Sequence, residues 1–264
     1  MDLNQELNLT NTNTNFIGIA IDADSLIYKA CYRHQIPNNG GVDIEKAWLE
    51  FCYEIGKIRS AIFRIIPYDK NTEIKPLIIL SPKTTFRHKL SSLYKSHRMV
   101  GIHGIKQLKI MCMHRMGDWA LVAPEIEADD MCIYYAKHHN YLVSAIDKDV
   151  IHACPTSCYD YNKREWNQPN MGYQVEAWYV KQALMGDTAD CIKGAPDIGE
   201  KRAQAWVDKF IGEPYSWSQY VDMFGDESLA LQAMNLVRMD RIVYIDGKFV
   251  HKPWEPFGDE YWEF

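Results

Sequence analysis

The chain reads as an α/β protein, a mainly parallel sheet covered by helices and followed by a helical region. Three observations predict this. Short apolar runs alternate with stretches of helical spacing over the first two thirds of the chain, the pattern of strands joined by crossover helices. Acidic residues recur where those runs end, which is where open α/β sheets carry their sites. After about residue 172 only helical spacing remains. With 264 residues, 47% of them hydrophobic, the chain can bury one large core with a small appendage.

Residues 1–15 are polar and rich in Asn and Thr. They lack the basic and apolar regions of a signal peptide and read as a loose tail. Residues 16–172 form the predicted α/β domain. Residues 16–21 are an apolar run that delivers Asp22, and Asp24 is placed to cap a helix over 25–33. Ile44, Ala47, Trp48, Phe51, Ile55, Ile58, Ile62 and Ile65 mark one helical face across 43–66. A second strand is expected over 76–80. Short helices are expected around 85–93 and 104–116, within a basic segment spanning about 83–117. A short strand over 121–123 precedes a helix over 127–139. A strand over 141–146 leads to Asp147, and another is expected over 159–161.

Residues 173–264 form the helical region, with helices over 175–185, 201–210, 215–224 and 228–239. The acidic, aromatic tail over 254–264 suits either docking on a partner or packing as a last strand. No apolar run approaches the ~20 residues of a membrane span. Seven scattered cysteines suit a reducing, cytoplasmic setting. Cys154 and Cys158 with His152 nearby form only a weak zinc signal, and free thiols account for them as well.

Eight carboxylates carry the chemistry: Asp22, then Glu127, Asp129 and Asp130, then Asp147 and Asp149, then Asp187 and Asp190. Glu127 and Asp130 are one helical turn apart and share a face. Asp147 and Asp149, two apart in extended chain, would also face one way. Asp187 and Asp190 repeat the one-turn spacing, bracketed by Gly186 and Gly194. Acids at helix starts are favoured by free amides alone, but these recur in order at strand ends. So many like charges in one cleft repel by several kcal/mol unless cations neutralise them. Hard oxygen ligands without Cys or His select Mg²⁺ or Mn²⁺. The pattern points to metal-dependent phosphoryl transfer.

Cations are segregated too. Net charge is −6, yet from Ile74 to Gly117 there is no Asp or Glu. That stretch holds Lys75, Lys83, Arg87, Lys89, Lys95, Arg98, Lys106, Lys109 and Arg115, a local surface for a polyanion. Lys95 and Arg98 suit the developing charge of a phosphoryl-transfer transition state. Tyr28 suits stacking on a base or core packing, and Lys29 a phosphate contact. Between Gly194 and Ala203, the Pro196-Asp-Ile198-Gly199-Glu-Lys201-Arg202 run reads as a helix–hairpin–helix. Its exposed amides at Gly199, with Lys201 and Arg202, would hold a DNA backbone without reading bases.

These motifs together resemble the 5′-nuclease family: flap endonucleases, the 5′-to-3′ exonuclease domain of bacterial DNA polymerases and bacteriophage 5′-exonucleases. The resemblance runs from about Phe16 to Met239. It is carried by Ile21-Asp22, Phe86-Arg87, Tyr94-Lys95-Ser-His-Arg98, Glu127-Ala-Asp129-Asp130, Asp147-Lys-Asp149 and Met185-Gly-Asp187-Thr-Ala-Asp190, with the 194–203 hairpin after them. It implies a PIN-like fold and two Mg²⁺ or Mn²⁺ ions held by the eight carboxylates. Lys95 and Arg98 would be catalytic, with DNA contacts from Tyr28, Lys29, Arg87, Gly194, Ile198, Gly199, Lys201 and Arg202. It further implies a monovalent cation at the hairpin. The substrate would be DNA with a 5′ end, nick or flap, or an RNA–DNA hybrid, cut by a monomer that works beside replication proteins. Phage members are similar in size. Two departures stand out. The family's Asp after the second strand is replaced by Leu80-Ser81-Pro82-Lys83, leaving Asp24 as the nearest substitute. The basic stretch is also short for a threading arch, so a reduced arch is expected over 100–117. The rival readings are a DNA-structure-binding protein with impaired catalysis and a PIN-type ribonuclease.

Overall fold

A computed structural model describes residues 16–37, 40–64, 73–97, 102–170, 172–210 and 215–256. The expected tail 1–15, Arg98 and the last residues 257–264 lie outside the described residues. In chain order the elements are β1 (Phe16–Asp22), α1 (Asp24–Arg33), α2 (Ile44–Phe63), β2 (Glu73–Ile79), α3 (Phe86–Leu90), α4 (Ile105–Met116) and β3 (Ala120–Leu121). Then come α5 (Ala128–His139), β4 (Leu142–Ser144), α6 (Lys148–Ala153), β5 (Cys158–Asp160) and β6 (Glu165–Asn167). The helical region holds α7 (Gly172–Met185), α8 (Glu200–Lys209), α9 (Trp217–Phe224) and α10 (Glu227–Val237), and a hairpin of β7 (Ile242–Ile245) and β8 (Lys248–His251) closes it.

The α/β expectation holds. Six strands form one sheet in the order β3-β2-β1-β4-β5-β6, parallel except for β6, which runs antiparallel to β5. Alternation along β1 splits the core between two faces. Ile19 and Ile21 pack with α1, α2 and α4, and Ala20 packs with α5 and the helical region. Among the described residues no helix is long and apolar enough to cross a membrane.

Three local expectations change. Asp24 does not cap α1; its amide is instead received by Asp22 Oδ1 at 3.2 Å. β6, α6 and the β7–β8 hairpin, which interrupts the expected all-helical region after residue 172, were not foreseen, being short and weakly patterned. The basic segment, expected to be a charged surface, is partly core where it is described. Leu108 and Cys112, one turn apart, are fully buried and seat α4 against α1 and α2. Phe86 and Arg87 are likewise buried. Apolar spacing in these stretches outweighs their surface charge.

The chain leaves β1 toward β2 and β3, then returns to β4 on the other side of β1. Such a reversal opens a crevice beyond the carboxyl ends of the two central strands. Asp22 ends β1, and Asp147 follows β4 by three residues.

Candidate active site and metal centre

A cleft of about 910 Å³ occupies that crevice. Of the predicted ligands it is lined by Asp22, Asp129, Asp147, Asp149, Asp187 and Asp190, together with Asp24, Tyr28, Ser81, Lys95, Lys109 and Lys148. Each acid has a local reason for its place. Asp129 lies in the first turn of α5. Asp147 is the N-cap of α6 and accepts the Asp149 amide at 2.8 Å. The two therefore straddle a helix start rather than sharing an extended strand. Asp149 Oδ1 accepts from Gln182 Nε2 at 2.7 Å. Asp187 accepts the amides of Ala189 at 2.7 Å and Asp190 at 3.3 Å, which folds the loop after α7 toward the cleft.

The acids raise one another's proton affinity. Burial, then the charges of Asp24 and Asp147, push Asp22 to about 7. Burial, then Asp22 and Asp147, lift Asp129 well above the usual carboxylate range. Burial, then Asp147, raise Asp149 to about 7. This all-oxygen donor set with surplus negative charge fits a hard divalent cation. Among the described residues no three His, Cys, Asp or Glu side chains converge closely enough to enclose an ion as they stand. Lysines stand among them instead. Lys95 Nζ lies 2.8 Å from Glu127 Oε1 and 3.5 Å from Asp190. Its backbone is left-handed, with φ 52°, at a cost of about 1 kcal/mol for a residue with a side chain. The Lys95 amide, donating to the Asp190 carbonyl at 2.9 Å, helps hold it there.

Behind α5 lies a different arrangement, and it corrects two sequence assignments. Asp130 is fully buried and receives Arg87 in a fork, Nη1 at 2.7 Å and Nη2 at 2.8 Å. Arg87 also donates to the carbonyls of Leu236 at 2.7 Å and Arg238 at 2.9 Å. Burial opposes the Arg87 charge, but Asp130 and Glu127 outweigh it and raise its proton affinity further. Arg87 is therefore a tie between α3, α5 and the end of α10, not a DNA contact, and Asp130 does not face the cleft. Lys29 pairs with Glu54 at 3.2 Å and does not line the cleft either. Glu127, the N-cap of α5, stands between the two settings. Its Oε2 accepts from Tyr94 at 2.9 Å and Arg87 at 3.3 Å, while Oε1 faces Lys95. Burial pushes the Glu127 carboxyl up, but Arg87 and Lys95 hold it below its ordinary range.

The departure after β2 has a structural counterpart. The Ser81 amide donates to Asp24 Oδ2 at 3.1 Å, so Asp24 brings a carboxylate to the end of β2, where the chain itself supplies none. Lys109 pairs with Asp24 at 2.5 Å and donates to the Ser81 carbonyl at 2.9 Å. Ser81 Oγ accepts the Ala128 amide at 2.8 Å, which ties β2 to the start of α5. Sequence reasoning missed Lys109, Tyr94 and Gln182 as parts of this site. The one available signal was a polar Gln182 amid the apolar positions of α7.

The hairpin follows the Asp187–Asp190 loop directly. Gly186 (φ +71°) and Gly194 touch so closely that a Cβ on Gly186 would lie 2.4 Å from the Gly194 nitrogen. Ala195 N–H donates back to Leu184 at 2.8 Å. Gly199 is the N-cap of α8 with no side-chain cap, leaving its amides to solvent. Lys201 and Arg202 are exposed, with Arg202 Nη1 also donating to the Asp197 carbonyl at 3.0 Å. Ile198 packs against the core and holds the turn.

No family model matches the chain. A 5′-3′ exonuclease of Buchnera aphidicola subsp. Acyrthosiphon pisum is 27% identical over 201 residues, covering 65% of this chain and 69% of that protein. The bacteriophage T5 D15 protein co-crystallised with metal ions superposes with a TM-score of 0.57 and 19% identity, over 85% of this chain and 90% of that one. The chain has the 5′-nuclease fold. The T5 D15 flap endonuclease, in a pseudo-enzyme–product complex with DNA and metal ions, matches that fold with a TM-score of 0.54 and 20% identity, over 85% and 89% of the two chains. The chain is thus similar in sequence to a 5′-3′ exonuclease and in fold to the T5 D15 protein.

Proposed function

We propose that the chain is a divalent-metal-dependent 5′-nuclease, hydrolysing phosphodiesters at 5′ ends, nicks or short flaps of DNA and at RNA primers in RNA–DNA hybrids. The observation that carries this reading is the cleft at the strand-order reversal. It gathers six of the eight predicted acids and raises the proton affinity of Asp22, Asp129 and Asp149. Asp22, Asp129, Asp147, Asp149, Asp187 and Asp190, with Asp24 beside them, would hold Mg²⁺ or Mn²⁺. Such ions supply Lewis acidity at the phosphodiester and toward attacking water.

The protein's own groups do the rest. Lys95, at the cleft edge, would exchange its carboxylate partners for the substrate phosphate and stabilise the charge that develops there. Arg98 joins it in this reading on sequence grounds. Tyr28, half exposed at 52% and lining the cleft, offers a ring face to a base. The 194–203 hairpin would grip duplex backbone through amides, Lys201 and Arg202. In-line attack leaves a 5′-phosphate and a 3′-hydroxyl. The setting is cytoplasmic.

The test compares 5′-flap DNA, nicked duplex, RNA–DNA hybrid and single-stranded RNA with Mg²⁺ and with EDTA. Metal-dependent release of short 5′ products from the first three supports the proposal. Binding without cutting would assign the chain to DNA-structure binding, and cutting confined to the single-stranded RNA would assign it to the ribonucleases.

A further inference from the structure

A second concavity lies outside the cleft, between the C-terminal half of α2 and the β5–β6 turn. It measures about 490 Å³ and is walled by Tyr53, Lys57, Arg64, Tyr159, Tyr161 and Arg164 over a Glu54 floor. Glu54 is 7% exposed and already serves Lys29 at 3.2 Å and Lys57 at 3.0 Å. Arg64 and Arg164 are exposed, and neither has a carboxylate partner among the described residues. The groove is therefore net positive. Its aromatic component is also open: Tyr53 is 64% exposed, with Lys57 Nζ 5.1 Å above its ring. Tyr161 joins the groove to the cleft, since its hydroxyl bonds Ser25 Oγ and donates to the Asp22 carbonyl at 3.3 Å.

We infer that this groove is a nucleotide subsite, with Arg64 and Arg164 holding phosphate and Tyr53 stacking on the base. Guanidiniums without a carboxylate partner among the described residues, beside the open ring of Tyr53, match the two halves of a nucleotide, an anion and a flat π-system. An acidic peptide would use the cations and leave the Tyr53 ring idle. The volume is at the small end of ligand pockets, suited to a single nucleotide unit. Continuity with the cleft through Tyr161 makes that unit part of a single-stranded segment running past the cleft, and this choice of source rests on the nuclease reading.

The experiment uses the full chain in EDTA. Anisotropy of a labelled oligo-dT and competition by dTMP are measured for the wild type, Arg64→Ala/Arg164→Ala and Tyr53→Ala. Cleavage of a short nicked duplex in Mg²⁺ is measured alongside. The double variant is expected to weaken strand binding about 5- to 10-fold. It should also flatten the log–log salt slope by about 1.4, two phosphates' worth for single strands. Tyr53→Ala should weaken binding and leave the slope alone. Nick cleavage should be unchanged. Loss of dTMP competition with strand binding intact would keep the subsite and make the free mononucleotide its ligand. Unaltered affinity and slope for both probes would overturn it. Because binding is read without metal, a chain that fails to cut yet binds here refutes only the nuclease reading.

Discussion

Behind α5, Asp130 gives both carboxylate oxygens to Arg87; in front of it, Asp129 has Asp22 and Asp147 as charged neighbours and burial against it. The two residues are adjacent in sequence and about 100° apart around one helix. One set of acids has its counter-cation built into the chain, whereas the other has only lysines at its edge. The difference separates acids that hold the fold from acids that await an external cation.

The sharpest way to break that comparison is to neutralise one acid of each kind. Asp129→Asn should lower the cleavage rate about a thousandfold while leaving the melting temperature unchanged or higher, since it removes repulsion. Near wild-type turnover in Mg²⁺ would return Asp129 to the ordinary surface of a helix start. Arg87→Ala should do the reverse at the level of folding. It strands a buried carboxylate and two carbonyls, and urea unfolding should show a loss of about 3–5 kcal/mol. A loss below about 1 kcal/mol would mean that the fork contributes no more than a surface pair.

Smaller effects sharpen the same contrast. Asp22 and Asp149 rise from 3.8 to about 7 in the folded chain. The native state therefore binds more protons than the unfolded one across that window. Metal-free stability should be greatest below about pH 4 as far as these two groups are concerned and should fall as pH rises toward 7. Melting curves of Asp22→Asn/Asp149→Asn that keep the full wild-type fall over this range would show that other groups cause it. At the hairpin, Lys201→Glu should weaken duplex binding about 5- to 10-fold for every sequence alike and flatten the salt slope by about 1. Sequence-selective loss would count against backbone binding.

Much of this was legible in the residues. Strand ends announced themselves as apolar runs closing on Asp22 and Asp147, and the helical region's spacing gave α7 to α10 to within a few residues. The split between Asp129 and Asp130 was not legible. Helical spacing shows that Glu127 and Asp130 share a face, but which face meets Arg87 depends on packing from forty residues away. Arg87 looked like a DNA contact because charge in sequence says nothing about burial. The Asp24–Ser81 contact closes 57 positions and has no local signal. α4 was legible as a helix but not as core: Leu108 and Cys112 have the spacing of a buried face, yet the lysines around them make the stretch read as surface.

The central claim is that the cleft acids take an external cation and that Asp130 does not. Melting temperatures with and without excess Mn²⁺, for the wild type, Asp129→Asn and Asp130→Asn, test it directly. At a hundredfold excess over Kd the wild type should gain about 5 °C or more. Asp129→Asn should lose most of that gain, whereas Asp130→Asn should start lower and keep it. A Mn²⁺ shift that survives in Asp129→Asn and disappears in Asp130→Asn would contradict the account.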